Sequence, residues 1–159
     1  MKNLAITLIG ALAVSAMATS LVANGHANDK AKQGAVKARK AQMSLYSFNL
    51  GALGAMAKGE VDYDAASAQA AADNLAALAN LSQAGFWLPG TDSDSMDGTR
   101  ALPAIWTADS KAGDIGAQLA AAANAMKAAA GTDLASLQAA MGAVGKACSD
   151  CHEDYRKPR

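Results

Sequence analysis

The chain has 159 residues, with 14 basic side chains balanced by 14 acidic ones and only 4% aromatics. That length sets one domain with one core, and the balance of charge leaves no basic field to hold nucleic acid or an anionic membrane. Apolar residues make up 52% of the chain, but alanine, the best helix former, dominates them, and runs of Val, Ile and Thr are absent. The composition points to an all-α fold.

The chain opens with Lys2, an apolar stretch from Leu4 to about Ala18, and then small and polar residues. This is the pattern of a secretory leader, and Gly25-His26-Ala27 places cleavage after Ala27, with Ala16-Met17-Ala18 as the second choice. A membrane anchor is the other reading of Leu4 to Ala23, which Gly10, Ser15, Thr19 and Ser20 weaken. The mature domain is then residues 28–159. Loss of Lys2 tips it one charge negative, and His152 is its sole histidine.

A first helix is expected from about Asn28 to Ala57, stopped at Lys58-Gly59. Val36, Met43, Tyr46, Leu50, Leu53 and Ala57 recur at the spacing of a packed helical seam. A second helix opens near Asp62 or Asp64, either of which can cap it, and carries Leu75, Leu78 and Leu81 to about Ala84. Gly85 to Thr99 follows as a long connection containing Phe86, Trp87 and Pro89-Gly90, with Asp92, Asp94 and Asp97 as its solvated part. Pro103-Ala104-Ile105-Trp106 leads into a third helix, Ala108 to Ala130, with Ile115, Leu119, Ala122 and Met126 inward. The fourth helix takes Thr132 as its cap and Asp133 in its first turn, and its seam is Leu137, Met141, Val144, Cys148, Cys151 and Tyr155. Four such helices make an antiparallel four-helix bundle with its site between facing helices.

The chemistry lies in Cys148-Ser149-Asp150-Cys151-His152. A Cys-x-x-Cys-His run is the attachment signature of c-type haem: two thiols form thioethers with the haem vinyl groups and the adjacent imidazole ligates iron. On a helix the three side chains share one face, so one flat cofactor meets all of them. A thiol–disulfide pair is expected after a strand and at a helix start, whereas here a helical pattern runs straight into the motif. A structural zinc site needs four ligands in most cases, and the mature chain offers three, Cys148, Cys151 and His152, because the only other histidine, His26, goes with the leader. Covalent attachment of one haem c per chain also agrees with export, and so with the periplasm. Phe86 and Trp87 either lean on the cofactor's edge or plug one end of the core.

With these residues in place the chain resembles the cytochrome c′ family, the class II c-type cytochromes. The resemblance rests on Cys148 to Arg156, Arg39-Lys40-Ala41-Gln42-Met43, Lys58-Gly59-Glu60 with Tyr63-Asp64-Ala65-Ala66, Pro89-Gly90-Thr91 and Pro103-Ala104-Ile105-Trp106. It implies a four-helix bundle whose high-spin iron has His152 as its one protein ligand, with Met43 blocking the opposite face. Small diatomic gases, nitric oxide and carbon monoxide, enter by pushing Met43 aside. Arg156, one turn after His152, is placed beside the proximal face. Arg39 and Arg100 are candidates to pair with the haem propionates. Lys40 stands where many members have glutamine, which opens the reading of a solvated surface lysine. The resemblance further implies a homodimer through the first two helices, single-electron exchange with a periplasmic redox partner, and no enzymatic turnover. The alternative is a six-coordinate electron carrier in which the Met43 thioether is itself a ligand. Peroxidase chemistry wants a polar distal group, which the expected distal residues, Met43 with Ala and Leu, do not offer.

Overall fold

The protein is described by a computed structural model over residues 15–158, with side chains from residue 28 onward. The leader expected at residues 1–27, with its cleavage point, lies outside the residues described with side chains. Four α-helices form the architecture: α1 (Ser15–Ala57), α2 (Ala65–Ala79), α3 (Ala112–Ala129) and α4 (Leu134–Tyr155), with a 3-10 turn at Pro103–Trp106. Each helix packs on its neighbours in a ring, α1 on α2 and α4, α2 on α3, and α3 on α4. The expected four-helix bundle is the observed one, and no strand occurs among the described residues.

Local chemistry sets the helix ends. α1 stops where Gly59 takes φ 73°, a left-handed conformation open to glycine. Gly59 N–H then donates to Met56 O and Glu60 N–H to Ala55 O, a paired capping arrangement that satisfies the last carbonyls. Asp64 caps α2 by accepting from Ser67 N at 2.7 Å. α2 ends at Ala79, short of the expected Ala84, because Asn80 turns off the helix and its amide returns to Ala76 O at 2.7 Å. Leu81 kept the helical spacing in the sequence, yet it lies outside the helix and is 47% exposed.

α3 starts at Ala112, later than the expected Ala108. Residues 107–110 form a turn, and Lys111 N–H donates to the Tyr155 hydroxyl at 2.7 Å, tying the entry of α3 to the end of α4. The cap of α4 is Asp133 and not Thr132: its carboxylate accepts from Ser136 N at 2.7 Å, while Thr132 belongs to the preceding turn. Asp has the stronger preference for that position.

The aliphatic core fills one half of the bundle. Leu53 and Met56 of α1, Ala68, Ala72 and Leu75 of α2, Met126 of α3, and Leu137 and Val144 of α4 form one buried cluster near the α1–α2 and α3–α4 turns. Alanines let the helices approach closely there without large side chains. At the other end Arg39 is buried under the long connection between α2 and α3, and Gln42 is buried against the end of α2. That end holds the motif residues.

Candidate haem site

α4 opens at the motif. Val144, Ala147 and Tyr155 are buried, whereas Cys148, Cys151 and His152 between them are only half-buried. The facing seam of α1 has the same interruption: Val36, Arg39, Tyr46 and Leu53 are buried, but Met43 in their midst is 39% exposed.

The two gaps are level. Gln138 Nε2 donates to Ala57 O at 2.7 Å, and a Cβ placed on Gly54 would sit 3.8 Å from Met141 Cε. Tyr46 and Cys148 are near enough for a thiolate on one to push up the hydroxyl of the other. These pairs step in opposite directions along antiparallel helices, and the same register puts Met43 across from Cys151 and His152. A seam of small and apolar residues that opens on both helices at one height leaves space for a flat apolar group between them.

The acid–base state of the motif suits a cofactor site better than a redox pair. Burial raises the Cys148 thiol, and it raises Cys151 too, aided by Cys148 and Asp154 against an opposing Arg156. Thiol–disulfide exchange calls for a depressed thiol instead. Burial lowers His152, with Arg156 and Arg100 adding to the shift. Its imidazole is therefore neutral, the form that ligates a metal. Among the described residues no cluster of three or more His, Cys, Asp or Glu is placed to hold an ion alone. The donor set, two thiols and one neutral imidazole on one helix face, fits haem c.

The cations are placed by the loop and the chain end. Arg39 is 4% exposed. Its Nη1 donates to Phe86 O at 3.0 Å and Thr91 Oγ1 at 2.6 Å, and its Nη2 to Thr91 O at 2.8 Å and Thr99 Oγ1 at 3.0 Å. Its guanidinium also lies 4.8 Å from the Trp87 ring centre, and Trp87 in turn packs at 6.3 Å against Trp106. All these partners are neutral, so a buried positive charge has no ion-pair partner among the described residues, and an anionic group beside it would relieve that.

A short antiparallel bridge, Ala101 to Arg156, straps the loop to the end of α4, with Leu102 N–H on Tyr155 O and Lys157 N–H on Arg100 O. The strap brings Arg100 and Arg156 to His152. Arg100 Nε is held by Lys157 O at 2.8 Å. Lys40 is exposed, with Nζ 3.4 Å from Gly98 O, in keeping with a solvated surface lysine. Phe86 and Trp87 act here through the loop, as the carbonyl and ring that receive Arg39. Met56 and Met126 are core residues, 4% and 0% exposed.

Three polar residues near the site escaped sequence reasoning. Asp92, expected in the solvated part of the connection, is 7% exposed, its carboxylate accepting from Asp94 N–H and Ser95 N–H. Gln42 is 4% exposed, and Tyr46, read only as a seam residue, reaches it with its hydroxyl. The one available signal was an amide at a position that the helical period places beside the seam.

Comparison with known proteins converges on the same chemistry. The sequence profile of cytochrome c′ matches residues 34–156. A cytochrome c-554 of Cereibacter sphaeroides is 46% identical over 77% of this chain and 80% of its own length. A solved cytochrome c′ from Rhodobacter sphaeroides superposes with a TM-score of 0.77 at 40% identity, covering 80% of this chain and 98% of that one. A nitric oxide complex of a variant cytochrome c′ from Alcaligenes xylosoxidans superposes with a TM-score of 0.70 at 32% identity, covering 80% and 97%. With the Cys-x-x-Cys-His motif on the buried face of a four-helix bundle, this chain belongs to the cytochrome c′ family.

Proposed function

We propose that this chain is an exported, periplasmic haem c protein whose iron is held by His152, with Cys148 and Cys151 as the thioether residues. Haem when bound supplies an iron centre for diatomic gases and single electrons. Its apolar faces fill the gap between α1 and α4, and Arg39, Arg100 and Arg156 surround its charged groups. Met43 stands over the face opposite His152 as a lid, leaving the iron five-coordinate and open to nitric oxide or carbon monoxide. The observation that carries this is the shared level of the two openings, Met43 on α1 and His152 on α4. The protein is not an enzyme in this reading: no histidine or carboxylate of α1 stands beside Met43 to move protons.

An exposed apolar groove at Leu45, Phe48, Ala77, Leu78 and Leu81 supports a homodimer through α1 and α2, with Asn74 Nδ2 donating to Asn49 Oδ1 in its lining. The redox partner is a further periplasmic protein.

A second reading makes Met43 a ligand and the protein a six-coordinate electron carrier. It is favoured by the thioether at this position. Carbon monoxide titration of the ferrous protein, with and without Met43→Ala, separates the two. A lid predicts high-spin protein in both forms, with faster gas entry in the variant. A ligand predicts a low-spin protein that turns high-spin on substitution.

A further inference from the structure

One buried polar atom beside the Met43 lid has no protein partner: Gln42 Oε1. Gln42 directly precedes Met43, and its Nε2 donates to Leu78 O at 2.9 Å and toward the Tyr46 hydroxyl oxygen at 3.4 Å. Both amide protons are thereby committed. Turning the amide over does not help, because it would set Oε1 against Leu78 O, two acceptors face to face. The Tyr46 hydroxyl receives from Gln42, and no acceptor among the described residues takes its own proton. Burial pushes that hydroxyl above its usual value, so it stays a donor across the neutral range.

An acceptor without a donor and a donor without an acceptor thus lie side by side, buried on α1. Leaving them so is costly, and proteins satisfy such pairs with an ordered water that makes about three hydrogen bonds. The proton count closes with one molecule. Tyr46 O–H donates to the water, the water donates to Gln42 Oε1, and Gln42 Nε2 donates to the Tyr46 oxygen. One water proton remains. Met43, the next residue along, is 39% exposed, so solvent reaches this side of α1.

We propose that Gln42 and Tyr46 hold a single ordered water on the Met43 side of the haem site, and that its remaining proton is the hydrogen-bond donor to a diatomic ligand on the iron. The second half rests on the gas-binding reading above; the water site does not. Gln42 and Tyr46 are then positioning residues that set ligand preference. They favour a ligand that gathers negative charge over one that stays neutral. Neither is a base at neutral pH, so the device adds selectivity and not turnover.

The test begins with a crystal structure of the haem-loaded protein. Density within hydrogen-bond reach of both Gln42 Oε1 and Tyr46 Oη is expected, and its absence overturns the proposal whatever the iron binds. The second measurement is the infrared C–O stretch of the ferrous carbon monoxide adduct in water and in deuterium oxide, for the wild type, Gln42→Leu and Tyr46→Phe. The wild-type band is expected to move on deuteration. In both variants it should rise in frequency and lose that sensitivity, with dissociation of nitric oxide about 3- to 10-fold faster, the worth of one hydrogen bond. Variants indistinguishable from the wild type would overturn the donor role. Tyr46→Phe keeps the ring that packs the core, so it reports even if Gln42→Leu misfolds. Water density in a protein that takes up no carbon monoxide would sink the gas-binding reading and the donor role with it, and leave the water site standing.

Discussion

Arg39 shows how one residue makes the site half of the bundle hold together. A planar guanidinium with four committed N–H groups joins α1 to Phe86, Thr91 and Thr99, which are spread along a connection that has no helix of its own. Lysine carries the same charge but cannot present this fork. Arg39→Lys should therefore destabilise the protein by about 1.5–3 kcal/mol, the range for hydrogen bonds to a charged group, as read by urea unfolding. It should also loosen the loop, as read by hydrogen exchange at residues 86–99. A variant as stable as the wild type would mean that the clamp is incidental. The sequence made the motif residues legible because covalent chemistry fixes their spacing. Arg39 was legible as a cation near the cofactor, but its hold on the loop was not, since its partners are carbonyls and hydroxyls 47 to 60 residues away. The burial of Gln42 was likewise hidden, because an amide reads as a surface residue until its neighbours are known.

At the scale of helices, ends are decided by caps more than by apolar spacing. Leu81 kept the period and still lies outside α2, while Asp64, named as a possible cap, is one. Thr132 and Asp133 compete for one position, and sequence alone ranks adjacent capping residues poorly because the choice turns on which N–H comes within reach. Hydrogen bonds from the Ser136 backbone and side chain lower the Asp133 carboxyl below 3.8, its ordinary value. A lowered carboxyl contributes stability above that ordinary value and loses it as the pH falls through the folded value. Asp133→Ala should lower the melting temperature at pH 7, and the gap from the wild type should close below about pH 3.8. A gap that persists in strong acid would assign the loss to something other than the cap. In the α3–α4 turn just before, a Cβ on Gly131 would lie 3.1 Å from Gln69 Cβ and 2.5 Å from Gln69 Oε1. Gln69 is itself held by Lys127 O and Asp73, so Gly131→Ala should cost about 1–3 kcal/mol in urea unfolding.

The whole molecule divides its labour between two ends. The aliphatic cluster stabilises the bundle and reaches Tyr46, where it meets Cys148, and beyond it lie Arg39, Gln42, Met43 and the rest of the motif, where haem would supply the missing apolar bulk. Alanine-rich composition and helical spacing announced the bundle, but the division between ends depends on the antiparallel pairing of α1 with α4, which no local pattern states. The outer face of α1 and α2 bears the second consequence of this packing. Phe48 is 75% exposed beside Leu45 and Leu81, at a position where no core contact is lost by substitution. Phe48→Asp should convert a dimer to a folded monomer in sedimentation velocity with an unchanged helical spectrum; a dimer that survives would place the interface elsewhere.

In the proposed site His152 alone among protein groups holds the iron while Met43 stands opposite as a lid. Resonance Raman spectroscopy of the ferrous protein, before and after carbon monoxide, tests it most directly. A five-coordinate high-spin spectrum with an iron–imidazole stretch that disappears as the gas binds is expected. A six-coordinate low-spin spectrum that carbon monoxide leaves unmoved would contradict it and make Met43 a ligand.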